Sequence, residues 1–144
     1  MLCHLVYVST AVAPMRDQDL AELLVQARAN NERRAITGML LYKDGRFIQI
    51  LEGHEEQVQA SFERIRKDER HTAVDLLWLR YAQYRDFPDW TMGFLNADEV
   101  DPETLKGYSP FLERDLRYEE FIQNSTEVHE MLQVFKENPG GLVK

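Results

Sequence analysis

The chain has 144 residues, of which 44% are hydrophobic and 29% charged, and its formal net charge is −8. These values are typical of one soluble globular domain, and they exclude broad nucleic-acid binding, which needs a basic surface. No apolar run is long enough to span a membrane, and no segment resembles a signal peptide. The only cysteine, Cys3, cannot form an internal disulfide, so we expect a cytoplasmic protein.

The first predicted elements are a strand and a helix. "HLVYVST" is β-branched and apolar, and its alternation places Tyr7 and Ser9 on one face together with Leu5. A helix begins at Asp17 or Asp19 and ends near Asn30–Asn31, because asparagine tolerates the left-handed geometry of a helix end. Its apolar stripe consists of Leu20, Leu23, Leu24 and Ala27.

A β-hairpin follows the first helix. "AITGMLLY" predicts the second strand, Asp44–Gly45 predicts a tight turn, and "RFIQILEG" predicts the third strand, which we expect Gly53 to end. Both faces of the third strand are largely apolar, yet Gln49 lies in its middle. Buried amides are normally hydrogen-bonded, so Gln49 needs partners inside the protein.

The rest of the chain continues with a helix, two strands and a helical tail. Glu55 and Glu56 favour a helix start, and Val58, Phe62 and Ile65 form one face of that helix. "AVDLLWLRY" predicts the fourth strand, "FPDW" a turn and "TMGFLNA" a short fifth strand. The amphipathic sequence from position 101 onward predicts a helical extension.

The predicted order is βαββαβ plus a fifth strand, which indicates an α+β fold of the ferredoxin-like sandwich type. We expect one domain over residues 1–97, with residues 98–144 packing on it as a helical extension. In this topology strands one and three lie side by side in the centre of the sheet, and both helices cover the same face. Tyr7 and Gln49 are then lateral neighbours beneath the helices.

Common catalytic and metal-binding patterns are weak in this sequence. His4, His54, His71 and His129 are widely scattered, so we expect no metal site and interpret these histidines as surface or helix-capping residues. Cys3 is interpreted as a small apolar filler. A nucleophile elbow, a Walker loop and a Rossmann fingerprint are all missing from the sequence.

Two patterns remain as candidates for function. Arg64 and Asp68 are four residues apart on the second predicted helix, where spacing alone favours an exposed ion pair over a polar rim that grips a ligand. Tyr7 and Gln49 carry more weight together than either does alone. The Gln49 amide can donate, accept and flip, so it could switch between two hydrogen-bond patterns.

Five segments, in order and at the family's spacing, resemble the BLUF family of blue-light sensors that use flavin. They are "LVYVS", "NNERRAITGMLLY", "GRFIQILEG", "RIRKDERH" and "FPDWTMGF", and the resemblance runs from about Leu2 to about Ala97. It implies FAD bound non-covalently between the two helices. Tyr7 would pass an electron and then a proton to the photoexcited flavin. Gln49 would bridge Tyr7 and the flavin ring and rearrange under light.

The resemblance also implies roles for other side chains. Trp90 and Met92 match a Trp-x-Met segment of strand five that relays the change outward, and Ser9 is placed with the switch residues. The remaining implied contacts are with the cofactor: Asn30 and Asn31 with the ring edge, Leu23 and Ile65 with the ring faces, Arg64 and Asp68 with the ring and ribityl chain, and His71 near the phosphates. This implication reverses the ion-pair interpretation of Arg64 and Asp68.

The resemblance implies a short, stand-alone photoreceptor without enzymatic turnover. We expect it to signal to a separate downstream effector protein through strand five and the helical extension, and we expect a homo-oligomer without nucleic-acid or membrane partners. Two alternatives remain open. One is a small-molecule-binding interaction module without photochemistry, and the other is an enzyme of acylphosphatase type.

Overall fold

The computed structural model describes residues 1–43 and 45–96. The strands and helices are β1 (Leu2–Ala11), α1 (Asp17–Arg34), β2 (Thr37–Lys43), β3 (Arg46–His54), α2 (Glu55–Arg66), β4 (His71–Tyr81) and β5 (Gly93–Asn96). The predicted α+β order is therefore confirmed. The predicted helical extension lies outside the described residues.

The five strands form one sheet in the order β4-β1-β3-β2-β5. β1 pairs antiparallel with β3 and with β4, β2 pairs antiparallel with β3, and β5 pairs parallel with β2. Lys43 pairs with Arg46, so the β2–β3 hairpin has the predicted two-residue turn, and Gly45 adopts a φ of 76° there. The central position of β1 and β3 is confirmed, and Tyr7 lies directly opposite Gln49.

The two helices share one hydrophobic core with one face of the sheet. Leu20 and Leu24 from α1 and Val58 and Phe62 from α2 pack in a single cluster with inward-facing residues of the strands. The strand residues in this cluster include Cys3, Leu5, Tyr7, Leu40, Tyr42, Phe47 and Leu51. Cys3 is fully buried, as expected of an apolar filler.

The opposite face of the sheet is also apolar. Val6 on β1, Leu41 on β2 and Ile48 and Ile50 on β3 point away from the helices, and each is fully buried. We refer to this surface as the distal face of the sheet. The prediction that β3 is buried on both sides is confirmed.

The predicted end of α1 near Asn30–Asn31 is wrong. The helix continues to Arg34, and Ala35 takes the left-handed conformation with a φ of 53°. The N–H of Ala35 donates to Glu32 O, and that of Ile36 donates to Asn31 O, so backbone bonds close the helix beyond the asparagines. The additional turn keeps both asparagines on the helix.

Gly53 does not end β3, which continues to His54. Its small size instead permits close packing, because a Cβ at this position would lie 3.2 Å from Ala35 O. Gly38 in β2 is more restrictive. It has a φ of 158°, and an added Cβ would clash with the carbonyl oxygen of Ile50.

Neither of the two described helices is long and apolar enough to cross a membrane.

Candidate functional site

A cleft opens between α1 and α2 above the central strands. It comprises about 810 Å³ of space, including the solvent at its open mouth. Nine residues predicted to act in the site line it: Tyr7, Leu23, Asn30, Asn31, Gln49, Arg64, Ile65, Asp68 and His71. The fold therefore gathers side chains from β1, α1, β3, α2 and the start of β4 around one space.

The wall of the cleft on the side of the sheet carries a hydrogen-bonded pair. The hydroxyl group of Tyr7 donates to Oε1 of Gln49, and both side chains are buried. Burial, and secondarily the charge of Asp68, raises the pKa of Tyr7 above the ordinary range for tyrosine. Tyr7 is therefore a neutral phenol, aimed at an amide that can exchange hydrogen-bond partners.

Gln49 also contacts the segment that precedes β5. Its Nε2 lies 3.4 Å from Sδ of Met92, an acceptor that is fully buried. Trp90 is 7% exposed. Trp90 and Met92 both precede β5, which begins only at Gly93, so their predicted place within strand five is wrong.

Side chains of α1 hold this segment. Nδ2 of Asn31 donates to Thr91 O at 2.7 Å, and Arg28 donates to Met92 O from Nε at 3.1 Å and Nη2 at 2.9 Å. These contacts occupy carbonyl groups that would otherwise be free for strand pairing. These hydrogen bonds connect α1 directly to the segment whose Met92 contacts Gln49.

Asp68 does not pair with Arg64, and it lies beyond the end of α2 at Arg66. Its carboxylate accepts hydrogen bonds from the backbone N–H of Arg70 at 2.9 Å and from the guanidinium of the same residue. The interpretation as an ion pair four residues apart on one helix is therefore wrong. The bond from Arg70 lowers the pKa of Asp68, so a negative charge is fixed at the edge of the cleft.

Arg64 supplies a cation on the last turn of α2. Partial burial lowers its pKa, and the like charges of Arg34 and Arg33 act in the same direction. Arg33 donates to Oδ1 of Asn30, and Arg34 donates to Gln57, so these two guanidinium groups are bonded to neutral amides. Neither of these bonds pairs a guanidinium group with a carboxylate.

His71 connects three elements at the other end of the cleft. Its Nε2 lies 2.6 Å from Ile65 O, and its Nδ1 lies 2.8 Å from Oγ of Ser9. Because a carbonyl only accepts, Nε2–H of His71 donates to Ile65 O, and Nδ1 shares a hydrogen bond with the Ser9 hydroxyl. Ser9 lies two residues after Tyr7 on β1, but it does not line the cleft.

The expectation that the histidines are surface or capping residues is wrong for His4. This residue is 8% exposed and lies between Glu52 and Asp86, where the three side chains bring potential ligand atoms within 4.8 Å of one another. Sequence spacing does not reveal the cluster, because its members come from β1, β3 and the loop before β5. His54, in contrast, is the exposed N-cap of α2, as expected.

Five further residues line the cleft that the sequence analysis did not predict as site residues: Gln26, Ala27, Leu40, Phe47 and Arg70. Leu40 and Phe47 alternate with distal-face residues on their strands, and that periodicity is the signal that could have found them. Arg70 has no such periodicity signal, because its position depends on a hydrogen bond to Asp68, two residues earlier in the same loop.

A planar ligand with polar edges fits this cleft. Leu23 and Ile65 provide apolar walls from opposite helices, while Asn30, Gln49 and Arg64 provide donors and acceptors around them. The fold and the cleft together define a small α+β ligand-binding module with a buried Tyr–Gln pair.

The profile of the BLUF family, described as "Sensors of blue-light using FAD", matches residues 2–93. The chain belongs to the BLUF family of blue-light sensors. This membership favours a sensor module over an enzyme of acylphosphatase type.

Known relatives and structures are consistent with this membership. The chain is 39% identical over 92 residues to photoactivated adenylate cyclase subunit beta of Euglena gracilis, covering 63% of this chain and 11% of the relative. It resembles the dark-state structure of the BLUF protein BlrB, with a TM-score of 0.76, 31% identity and coverage of 92% and 95% of the two chains. Klebsiella pneumoniae BlrP1 with FMN and cyclic diGMP gives a TM-score of 0.69 at 28% identity, over 97% of this chain and 36% of that one.

The chain spans about a ninth of the length of the curated relatives it matches. The cyclase activity in their names belongs to the whole relatives. The part shared with this chain is the BLUF sensor module.

Proposed function

We propose that this protein is a blue-light photoreceptor that binds FAD non-covalently in the cleft between α1 and α2. The observation that carries this proposal is the buried hydrogen bond from the Tyr7 hydroxyl to Gln49 Oε1 in the wall of that cleft. It combines a neutral, oxidisable phenol with an amide that has two chemically different ends. Family membership supports the flavin, and the choice of FAD over FMN is part of the proposal.

The cleft residues fit a flavin by their chemistry. Leu23 and Ile65 would pack on the faces of the ring, and Asn30, Asn31 and Arg64 would hydrogen-bond to it. Asp68 would bind the ribityl chain, and His71 would lie toward the phosphates. The Nδ2 of Asn31 already donates one N–H to Thr91 O, so its Oδ1 and its second N–H are left for a ligand. When bound, the flavin supplies absorption of blue light and an excited state that accepts an electron.

Tyr7 is suited to give up an electron together with its proton. The phenol is buried, and both burial and Asp68 keep it neutral. Loss of an electron alone would leave a buried positive charge, whose low-dielectric surroundings make it costly. The hydroxyl proton would therefore leave along its hydrogen bond to Gln49 Oε1, and the bound flavin, which would take up the electron, would receive a proton through the Gln49 amide.

Gln49 converts this event into a change of hydrogen bonding. Its Oε1 accepts from Tyr7 and its Nε2 lies against Met92 Sδ, so rotation or rearrangement of the amide disturbs both contacts at once. Met92 carries the change to the segment before β5, with Trp90 in the same segment. The signal is a new hydrogen-bond pattern, and no substrate is consumed.

The output lies with a separate downstream effector protein. We place residues 98–144 as a helical extension on the distal face of the sheet, whose apolar residues match the amphipathic sequence of that segment. Strand β5 and the extension would pass the signal to the effector or to a second copy in a homo-oligomer. The buried single Cys3 suits a cytoplasmic location.

The absorption spectrum of the purified protein tests the proposal. We expect a yellow protein whose flavin band shifts reversibly to the red under blue light. Gln49→Leu should bind flavin without the normal shift, because leucine can neither accept from Tyr7 nor donate to Met92. Gln59→Leu, an exposed glutamine on α2, is the matched control and should respond like the wild type.

Chromatography of the flavin released by denaturation identifies FAD, FMN or riboflavin. A flavin-free protein, or a flavin-loaded protein that ignores light, would contradict the photoreceptor proposal. The flavin-free result would instead favour an interaction module without photochemistry.

A further inference from the structure

A threonine at the start of β2 connects the sheet to the loop between β4 and β5. Thr37 lies opposite Glu52 in the β2–β3 register, so the two side chains share the distal face. The Thr37 hydroxyl donates to Oε1 of Glu52 at 3.0 Å, and it accepts from Nη1 of Arg85 at 2.9 Å. A guanidinium only donates and a carboxylate only accepts, so the direction of both hydrogen bonds is fixed. We refer to this arrangement, from Arg85 through Thr37 to Glu52, as the Thr37 bridge.

The Glu52 end of the bridge is buried and holds the loop. Glu52 is 0% exposed. Its Oε1 also accepts from the backbone N–H of Phe87 at 2.9 Å, and its Oε2 accepts from the backbone N–H of Asp86. A buried carboxylate needs partners for its oxygens, and two of these partners are backbone groups of the loop. The carboxylate therefore fixes residues 86 and 87 against β3.

The Arg85 end of the bridge reaches two further elements. Nη1 of Arg85 also donates to Glu52 O at 3.0 Å, and Nη2 donates to Ala35 O at 2.7 Å. Ala35 is the left-handed residue that closes α1. The guanidinium thus attaches the loop to β3 and to the end of α1. The Thr37 hydroxyl joins this attachment to the carboxylate that holds residues 86 and 87.

The loop leads directly to residues 90–92, which we refer to as the switch segment. The N–H of Trp90 donates to Phe87 O at 3.2 Å, and the rings of these two residues lie 5.3 Å apart. Gly38, which follows Thr37 in β2, donates from its N–H to Trp90 O at 3.0 Å. Two successive residues of β2 therefore bond to the loop and to the switch segment.

Met92 is the residue of the switch segment that meets the proposed photochemical pair. Its Sδ lies 3.4 Å from Nε2 of Gln49. Because Met92 follows Trp90 by two residues, the position of the loop sets the position from which Met92 approaches Gln49. Thr37 can thus influence this contact although it does not itself line the cleft.

We propose that Thr37 is a positioning residue for the light response, because its hydroxyl completes the bridge that fixes the loop and thereby the contact of Met92 with Gln49. The part of this inference that concerns light rests on the proposed photoreceptor function. Without the hydroxyl, Arg85 loses an acceptor and Oε1 of Glu52 loses a donor. Return of Gln49 to its dark arrangement requires the switch segment to move, so a loosened loop makes dark recovery faster.

Two substitutions of Thr37 separate hydrogen bonding from packing. Thr37→Ser keeps the hydroxyl and removes a methyl group, whereas Thr37→Val keeps the shape and removes the hydroxyl. Thr72→Val, at an exposed threonine on β4, is the matched control. All proteins carry Trp78→Phe, which leaves Trp90 as the single tryptophan, since the chain has two. The measurements are the emission maximum of Trp90 in the dark and the rate of dark recovery after blue light.

We expect both quantities to change in Thr37→Val. The emission maximum of Trp90 should shift, and dark recovery should become faster by up to roughly tenfold, for the loss of one hydrogen bond to a charged group. Thr37→Ser and Thr72→Val should match the parent protein. The flavin content should be the same in all proteins, because Thr37 does not line the cleft. If Thr37→Val does not fold, Arg85→Gln breaks the bridge from its other end and carries the same expectation.

Parent-like values in Thr37→Val overturn the proposal. An equal change in Thr37→Ser and Thr37→Val also overturns it, because the effect then belongs to packing. If every protein shows the red shift and no variant differs from the parent, the role of Thr37 is rejected and the photoreceptor proposal stands. If no protein shows a red shift, the photoreceptor proposal fails, and the emission of Trp90, which does not need light, still tests the bridge.

Discussion

Two polar residues three positions apart on β3 serve opposite faces of the sheet. Gln49 points into the cleft and Glu52 points to the distal face, because side chains alternate along a strand. Both are almost completely buried, and both are fully provided with partners: Gln49 with Tyr7 and Met92, Glu52 with backbone N–H groups and His4. Polar residues in a strand of this kind mark points where the sheet is connected to other parts of the molecule.

Tyr7→Phe removes the hydroxyl group and nothing else from the wall of the cleft. We expect the variant to fold and to bind flavin, because the ring still packs on Phe62, whose centroid is 5.5 Å away. The normal red shift should disappear, since phenylalanine has no proton to release and is much harder to oxidise. Illuminated and dark absorption spectra provide the measurement, with exposed Tyr81→Phe as the control. A shift of wild-type size in Tyr7→Phe would refute the donor role.

The raised pKa of Tyr7 makes stability depend on alkaline pH. In the unfolded chain the phenol ionises near pH 10, whereas burial keeps it neutral in the native state. The stabilising contribution is therefore fully present below about pH 10 and is lost as the pH rises further. Between about pH 10 and about pH 11, the wild type should lose up to roughly 1.4 kcal/mol more than Tyr7→Phe. Urea unfolding of both proteins at each pH measures this difference, and parallel curves would contradict it.

At the scale of elements, the segment before β5 is shaped by the neighbouring helix. The predicted fifth strand includes Thr91 and Met92, but the carbonyl groups of both residues accept hydrogen bonds from Asn31 and Arg28 of α1. Such bonds replace the regular ladder, so the strand begins only at Gly93. Under the proposed function, this irregular segment would respond to Gln49 without a break in the sheet.

Arg28→Ala should weaken the attachment of this segment to α1. The variant leaves the Met92 carbonyl without its two guanidinium donors, and we expect a loss of about 1–3 kcal/mol in the free energy of unfolding. Urea unfolding gives the value, and dark recovery of the flavin-loaded protein should change with it. Arg66→Ala, which removes an exposed pair with Glu63, is the control and should cost less than about 1 kcal/mol. Equal losses in the two variants would refute a specific role for Arg28.

Gly93→Ala tests the packing of the switch segment from the other side. An added Cβ at Gly93 would collide with the ring of Trp90, a side chain buried against Phe87. The indole must move, at a cost of about 1–3 kcal/mol for overpacking. The fluorescence of Trp90 in a Trp78→Phe background should change, whereas Gly45→Ala, with open space around it, should leave it unaltered. An unchanged Trp90 fluorescence in Gly93→Ala would contradict the close packing of the indole ring against Gly93.

The order of elements could be predicted because hydrophobic periodicity and turn residues are local signals. The pairing of Tyr7 with Gln49 followed from topology alone, and the structure confirms their neighbourhood. The helix end at Arg34 could not be predicted, because Ala35 adopts a conformation that its side chain does not favour. The hydrogen bonds that Glu52 accepts from Asp86 and Phe87 could not be predicted either, since they depend on the path of a loop.

At the scale of the whole molecule, the sheet has two apolar faces, and the two helices cover only one of them. The helices cover one face, and Val6, Leu41 and Ile50 are representative of the buried distal face. We propose residues 98–144 as the segment that packs there. A protein truncated after residue 97 should then expose apolar surface and self-associate, as measured by light scattering. The truncated protein should also lose light-dependent effector binding. If truncation leaves both the photocycle and effector binding intact, the proposed signal transfer through residues 98–144 is rejected.

The pairing of β1 with β3 has a consequence for how this protein becomes active. Tyr7 and Gln49 are 42 positions apart in the chain, and a helix and a strand must be formed between them before they can meet. Contacts of such long range form late and are lost together when the domain unfolds. A nascent or partly unfolded chain would therefore show no light-induced red shift, even if it retained some affinity for flavin. The light-induced red shift would serve as an optical assay of native folding, readable in a living cell without any added label.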